Sequence, residues 1–292
     1  MSVAASPLDG ILPRVPLGSW ISAAVDWATN SLGSLFDGIV SLVDALVEPL
    51  TGLLTSVPAV VMVVLLAALG TWLRSWKFGL GVLVGLGVIG GMPYWDETMS
   101  TLAQVLVASA LSLVLAVPLG ILIAENRRAN AVARPLLDLM QTLPAFVYLI
   151  PAIFFFGIGT VPGVLATLVF SMPPGVRLTA LGLRQVDPEI VEASEAFGAS
   201  PAKVLLRTKL PLALPTIMTG VNQVIMLALS MVVISGMVGA EGLGKVINSA
   251  LSQVDVGSGF EGGIAVVVLA IVLDRLTDSI GARFPAARAQ RA

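Results

Sequence analysis

Neither cysteine nor histidine occurs in this chain. Without them the usual zinc, haem and iron-sulfur centres cannot be built, and a cysteine nucleophile, a His-based triad and a disulfide are excluded as well. Charge is scarce too: 12% of the residues are charged and 57% are hydrophobic, against about 25% and about 45–50% in ordinary soluble domains. A formal net charge of -2 offers no clustered basic surface, which excludes a nucleic-acid partner. What is present in quantity is apolar length. At a mean hydropathy of +0.96 a water-soluble monomer would expose more apolar surface than it tolerates, so the solvent is lipid and the fold is an all-α, polytopic membrane protein.

The first 18 residues hold prolines at 7, 13 and 16 and lack the basic and apolar regions of a signal peptide, so no cleavage is expected. From Trp20 to Glu48 the polar positions Asp26, Asn30, Ser34, Asp37, Ser41, Asp44 and Glu48 recur every three or four residues, the period of an amphipathic helix. Gly33 and Gly38 are places where it can split. A strip with four acids does not face acyl chains cheaply, so this helix is expected on the membrane surface or packed on its own domain. About seven apolar stretches follow, at 57–73, 78–92, 98–124, 135–158, 162–182, 213–239 and 261–282. Pro144 and Pro151 interrupt the fourth, and Pro173-Pro174-Gly175 the fifth, which predicts kinked or broken helices that either line a pathway or serve packing.

Charge orients these spans, because Lys and Arg are retained on the cytoplasmic side. With the N-terminus outside and the C-terminus cytoplasmic, every Lys and Arg except Arg14 and Lys245 falls inside. The resulting division is an N-terminal tail and amphipathic helix at 1–55, two accessory spans at 56–94, a core at 95–282 containing a cytoplasmic loop at 183–211, and a tail at 283–292.

Two glycine-rich stretches imitate phosphate sites. Gly239 to Val246 has P-loop spacing, but Val246 stands where magnesium needs a hydroxyl, and the stretch falls outside. Gly85, Gly87 and Gly90 lie inside the second span with no strand before them, so Gly81, Gly85 and Gly87 are expected to serve close helix packing instead. The loop at 183–211 differs. Asp187-Pro188-Glu189 is a helix start, Gly198 a stop, and Ser200-Pro201 a second start before Lys203, Arg207 and Lys209. Two short helices across a cytoplasmic mouth fit a docking handle, and equally a solvated charged loop.

Glu192-Ala193-Ser194, then Gly198, then Leu210-Pro211 resembles the Glu-Ala-Ala signature of importer-type ABC permeases, with Ser194 in place of the second Ala and Thr208 in place of the usual Ile. Together with Arg134-Pro-Leu-Leu-Asp138, Gln141-Thr142-Leu-Pro-Ala-Phe-Val-Tyr148, Phe197-Gly-Ala-Ser-Pro201, Gly220-Val-Asn-Gln223 and Leu273-Asp-Arg-Leu-Thr277, it looks like the permease subunit of the glycine betaine/proline uptake systems. The resemblance covers about residues 95–282 and leaves the first 55 aside. It implies a type I ABC importer fold and ATP-driven import of glycine betaine, proline betaine or a similar osmoprotectant. Implied with it are a homodimer of permease chains, a cytoplasmic ATPase dimer that carries ATP and Mg, and an external substrate-binding protein; this chain itself is no enzyme and binds no cofactor. On that analogy the helix at 188–198 is the ATPase-coupling helix: Glu192 is its charged contact, Ala193 permits close approach, Gly198 makes the turn, and Ser194, Pro201, Leu210 and Pro211 complete the signature.

In the sixth span Thr219, Asn222, Gln223 and Ser230, with Met226 between them, share an arc of about 100°. This polar face suits a weakly polar translocation pathway, or hydrogen bonds between helices. Asp274, Arg275 and Asp278 near the end of the last span read as a local ion pair. An importer for choline or another small amino acid fits the same residues. An ion-coupled secondary transporter would place an acid near the middle of a span, and none stands there.

Overall fold

The computed structural model describes residues 17–282. Arg14 and the tail with Arg283, Arg288 and Arg291 lie outside the described residues. Every long element is a helix: α1 Leu17–Ser56, α2 Ala59–Leu73, α3 Trp76–Gly90, α4 Trp95–Glu125, α5 Arg127–Thr142, α6 Ala145–Phe156, α7 Thr160–Arg184, α8 Pro188–Ala196, α9 Pro201–Val204, α10 Leu210–Ser235, α11 Leu243–Gln253 and α12 Val256–Gly281.

α7 is the centre of the bundle, packed between α4 and α10. Small residues let these helices approach: a Cβ on Gly120 would lie 2.5 Å from Cβ of Thr179, and one on Gly175 would lie 2.9 Å from Ala116 and 3.0 Å from Val224. Lipid supplies no hydrophobic force between helices, so such backbone approach and interhelical polar contacts hold the bundle. Ser112 of α4 donates to the Leu168 carbonyl at 2.9 Å and shares a 2.9 Å hydrogen bond with Ser171. The fifth apolar stretch is therefore not broken. Pro173, Pro174 and Gly175 sit buried within one continuous helix, where neighbours rather than water surround the backbone they disrupt.

The fourth stretch breaks at one of its two prolines: Pro151 lies inside continuous α6 and does not interrupt it. α5 and α6 meet at Pro144 with a bend of 100°. The expectation of about seven spans is corrected elsewhere: five helices are long and apolar enough to cross, or six with this bent pair. α2 and α3 have 15 residues each, about 22 Å of helix, against about 30 Å of hydrocarbon. They form a short hairpin against α12, with Trp72 and Trp76 exposed beside its turn. Of the glycines expected to pack there, a Cβ on Gly85 would lie 3.0 Å from Val268, whereas one on Gly81 or Gly87 would meet nothing within 4 Å.

α1 is interrupted at Leu32, directly before Gly33. Beyond it, residues 31–56 are one of those five by length and composition. Phe36 stacks on Phe155 and Phe156 at the last turn of α6, with centroids 4.9 and 5.4 Å apart. Val43, 1% exposed, and Val47 pack with Val107, Ala108, Val161 and Val164. These contacts pack the helix on α4 and α7. The carboxylates of Asp44 and Glu48 join Asp96, Glu97, Glu241 and Asp255 around this acidic end, and Arg127, Arg128, Arg184, Lys203, Arg207 and Lys209 mark the opposite, basic end.

Candidate functional site

At the basic end the chain leaves α7 and turns into α8. The Asp187 carboxylate accepts the Glu189 N–H at 2.9 Å and Pro188 occupies the first turn, so the helix starts where its sequence says it should. It stops at Ala196, two residues before Gly198, the glycine expected to end it. Phe197 caps it, and Gly198 follows at φ +79°, a conformation that favours glycine. Space around Gly198 is open, since an added Cβ would meet nothing within 4 Å. The glycine is there for its backbone, not for packing.

No residue of α8 is buried, and Phe197 is 93% exposed. Glu189, Glu192, Ala193 and Glu195 are exposed beside it. An aromatic side chain thus stands in the open beside carboxylates, a knob on the protein surface. The other signature residues do different work. Leu210 packs with Leu183, Ala213 and Ile217, and Pro201 starts α9, whose Val204 is buried. These residues anchor the knob. Val204 went unnoticed in the sequence because one buried valine has no periodic partner nearby.

The second surface helix expected after Ser200 is only the four residues of α9. A π-turn at Leu205–Lys209 then joins it to α10 as one rod. The Leu210 N–H reaches the Leu205 carbonyl, and Pro211 has no N–H to offer. The wider turn absorbs that missing donor. Lys209 Nζ donates to Glu125 Oε1 at 3.0 Å, and Arg184 donates to the Ile123 carbonyl, so this end is fastened to α4. Arg177 meets Asp138 at 2.5 Å and ties α7 to α5; the 39 residues between them hide that pair from any local reading.

The polar arc of α10 divides. Thr219, Gln223, Met226 and Ser230 lie on one exposed face, where the Thr219 and Ser230 hydroxyls donate to Pro215 and Met226 carbonyls at 3.2 and 3.1 Å. Their own helix satisfies these protons, leaving weak acceptors facing outward. Asn222 is different: its Nδ2 donates to Asp274 Oδ1 at 2.7 Å and holds α10 to α12. Asp274 also lies 3.6 Å from Arg275, in keeping with the expected local pair.

The P-loop look-alike has another purpose. Gly239 and Gly242 adopt φ of +86° and +100°, and the N–H groups of Gly239, Ala240 and Lys245 bond to the carbonyls of Gly236, Ser235 and Gly242. Leu243 N–H donates to Thr101 Oγ1 at 2.8 Å. Those amides are spent on the protein, so the loop makes no phosphate cradle. Beside it a cavity of about 510 Å³ is lined by Glu97, Glu241, Lys245 and Asp255. The Ser258 hydroxyl and N–H hold the Asp255 carboxyl below the usual carboxylate range.

Residues 116–285 match the binding-protein-dependent transport system inner membrane component family. The glycine betaine transport system permease protein OpuAB of Bacillus subtilis (strain 168) is 48% identical over 92% of this chain and 95% of its own. The glycine betaine/proline betaine transport system permease protein ProW of Escherichia coli (strain K12) is 45% identical over 91% of this chain and 75% of its own. Among solved structures, an inward-facing conformation of the MetNI methionine ABC transporter superposes with a TM-score of 0.58 at 21% identity, covering 62% of this chain and 91% of the other. At that identity the likeness concerns the fold.

Proposed function

Because the chain belongs to the family of binding-protein-dependent transport system inner membrane components, we propose that it is the permease of an ATP-driven importer of glycine betaine or proline betaine. Relatives that carry those names match it over 95% and 75% of their own length. The observation that carries the coupling part of this reading is α8, unburied along its whole length and ending on the exposed Phe197. Two permease chains pair with a cytoplasmic ATPase dimer, which binds ATP and Mg and grips α8 around Glu192, Ala193 and Gly198. An external binding protein delivers substrate to the acidic end. ATP-driven closure of the partner biases the bundle between two states through α8, the element that both bodies touch.

The exposed face of Thr219, Gln223, Met226 and Ser230 is the proposed route. A betaine is a zwitterion with a fixed quaternary ammonium and a carboxylate. It passes where contacts are polar enough to admit it and too weak to hold it. Hydroxyls already bonded within α10 meet that requirement. Uptake of radiolabelled glycine betaine in cells lacking their own systems is expected to need all three components, and to be competed by proline betaine more than by choline. Uptake that survives an ATPase without hydrolysis and collapses with a protonophore would identify an ion-coupled transporter instead.

Orientation follows the charge distribution, with the basic end cytoplasmic, the acidic end outside and the N-terminus outside. A chain with no native cysteine allows a clean check. Lys245→Cys is expected to react with a membrane-impermeant thiol reagent in intact cells, Arg207→Cys only after permeabilisation, and Gln223→Cys more slowly when substrate and binding protein are present. The opposite pattern for the first two reverses the topology; no effect of substrate on the third removes Gln223 from the route.

A further inference from the structure

The two positions where the chain departs from the Glu-Ala-Ala signature are the two that meet. Ser194 stands where the signature has Ala and Thr208 where it has Ile, and their hydroxyls lie 3.2 Å apart. Among the described residues this is the side-chain hydrogen bond that ties α8 to the rest of the chain, because the remaining Ser194 bond returns to the Ile190 carbonyl of the same helix at 2.9 Å. Thr208 lies in the π-turn, and the next residue, Lys209, holds Glu125 at the foot of α4 with a 3.0 Å ion pair. From the π-turn the rod continues as α10, which bears the exposed face with Gln223 and Met226.

We propose that Ser194 and Thr208 are positioning residues that transmit the motion of α8 to α10. This rests on the coupling reading of α8 given above. The physical case has three steps. A helix with no buried residue is weakly guided by packing, so its displacement reaches the bundle through its two backbone joints, residues 185–187 into α7 and the turn at Gly198, and through this hydroxyl pair. The Gly198 turn is closed by the Gly198 and Ala199 N–H groups on the Glu195 and Ser194 carbonyls, and the Ser194–Thr208 hydrogen bond adds a direct link from α8 to the π-turn that bypasses it. The pair also acts where the helix is least regular: a π-turn holds an extra residue, and such turns recur at functional sites. Force applied at Thr208 therefore acts on a register that packing has not already fixed, while Lys209 and Glu125 keep the foot of α4 in step.

The experiment uses the complete transporter, permease with ATPase and binding protein, in liposomes with glycine betaine as probe. Ser194→Ala and Thr208→Val each remove one hydroxyl with little change of volume, and Thr208→Ser keeps it. Each of the first two is expected to lower glycine betaine imported per ATP hydrolysed by about three- to tenfold, the size of effect a single neutral hydrogen bond carries. The KM for loaded binding protein and the yield of assembled complex stay unchanged, and Thr208→Ser retains the normal ratio. Because both changes delete the same interaction, the double variant is no worse than the worse single. Unchanged ratios in both singles, or effects that multiply in the double, overturn the relay. Gly198→Asp separates the two levels of the argument: if it also imports normally, the coupling reading of α8 has failed. If it is inactive while the hydroxyl variants behave normally, only the relay is wrong.

Discussion

Gly198→Asp is expected to abolish glycine betaine import while the permease still inserts, binds the loaded binding protein with normal affinity and is recovered in normal amounts. Position 198 adopts φ +79°, and a Cβ placed there meets nothing within 4 Å. The folded chain therefore loses only the conformational cost of a non-glycine residue in the left-handed region, about 1–2 kcal/mol, and Asp is among the residues that bear it best. A cost of that size in an exposed turn does not unfold a bundle held around α4, α7 and α10. The damage is local. The new carboxylate stands next to Phe197 on a knob that already carries Glu192 and Glu195, and it must be desolvated against any surface that receives Phe197. Burying an unpaired charge at such a contact costs several kcal/mol, enough to end productive docking. Gly198→Ala bears a similar conformational cost without the charge, and retains a substantial part of the import rate. Uptake, complex yield and binding-protein affinity measured side by side check the result. Normal import by the Asp variant would remove the knob from the coupling pathway.

The legibility of this site in the sequence follows the range of each interaction. The start of α8 at Asp187-Pro188-Glu189 and its stop at Gly198 are readable because capping is local, decided within four residues. The exposed arc of α10 is readable for the same reason, since 100° per residue is a property of one helix. Asn222 belongs to that arc by angle, yet its partner Asp274 lies 52 residues away, and only tertiary structure turns it toward α12. Pro173-Pro174 reads as a break because local rules see lost donors and not the buried surroundings that keep α7 continuous. α2 and α3 read as spans by composition, the second already short at about 15 residues in the sequence, and at 15 residues each both helices are shorter than an ordinary span. Ser194 and Thr208 illustrate the limit most directly. Taken singly each is an imperfection in a signature; brought to 3.2 Å they are a matched pair.

The second large effect concerns the glycines of the look-alike loop, and it reverses what a phosphate-binding reading would demand. A Cβ on Gly244 would lie 2.3 Å from the Val233 carbonyl oxygen, and one on Gly236 would lie 2.1 Å from the Gly244 carbonyl carbon. Backbone here meets backbone, so no side chain can rotate away. Gly244→Ala must push α11 off the end of α10 by about an ångström to restore ordinary contact distance, and overpacking of this kind costs about 1–3 kcal/mol or more. The displacement also withdraws Leu243, 0% exposed, from the cluster it shares with Met99, Leu102 and Leu269, and strains its N–H bond to Thr101 Oγ1 at 2.8 Å. The expected result is a sharp fall in membrane-inserted protein and a lowered melting temperature in detergent, with Gly236→Ala behaving alike. Lys245 is exposed and its amide is already bonded to Gly242, so Lys245→Ala leaves abundance, melting and import close to normal. A P-loop requires the reverse order, with the lysine indispensable. The spacing that imitates a nucleotide site is thus the imprint of two backbones in contact, and the comparison of Gly244→Ala with Lys245→Ala measures the difference directly.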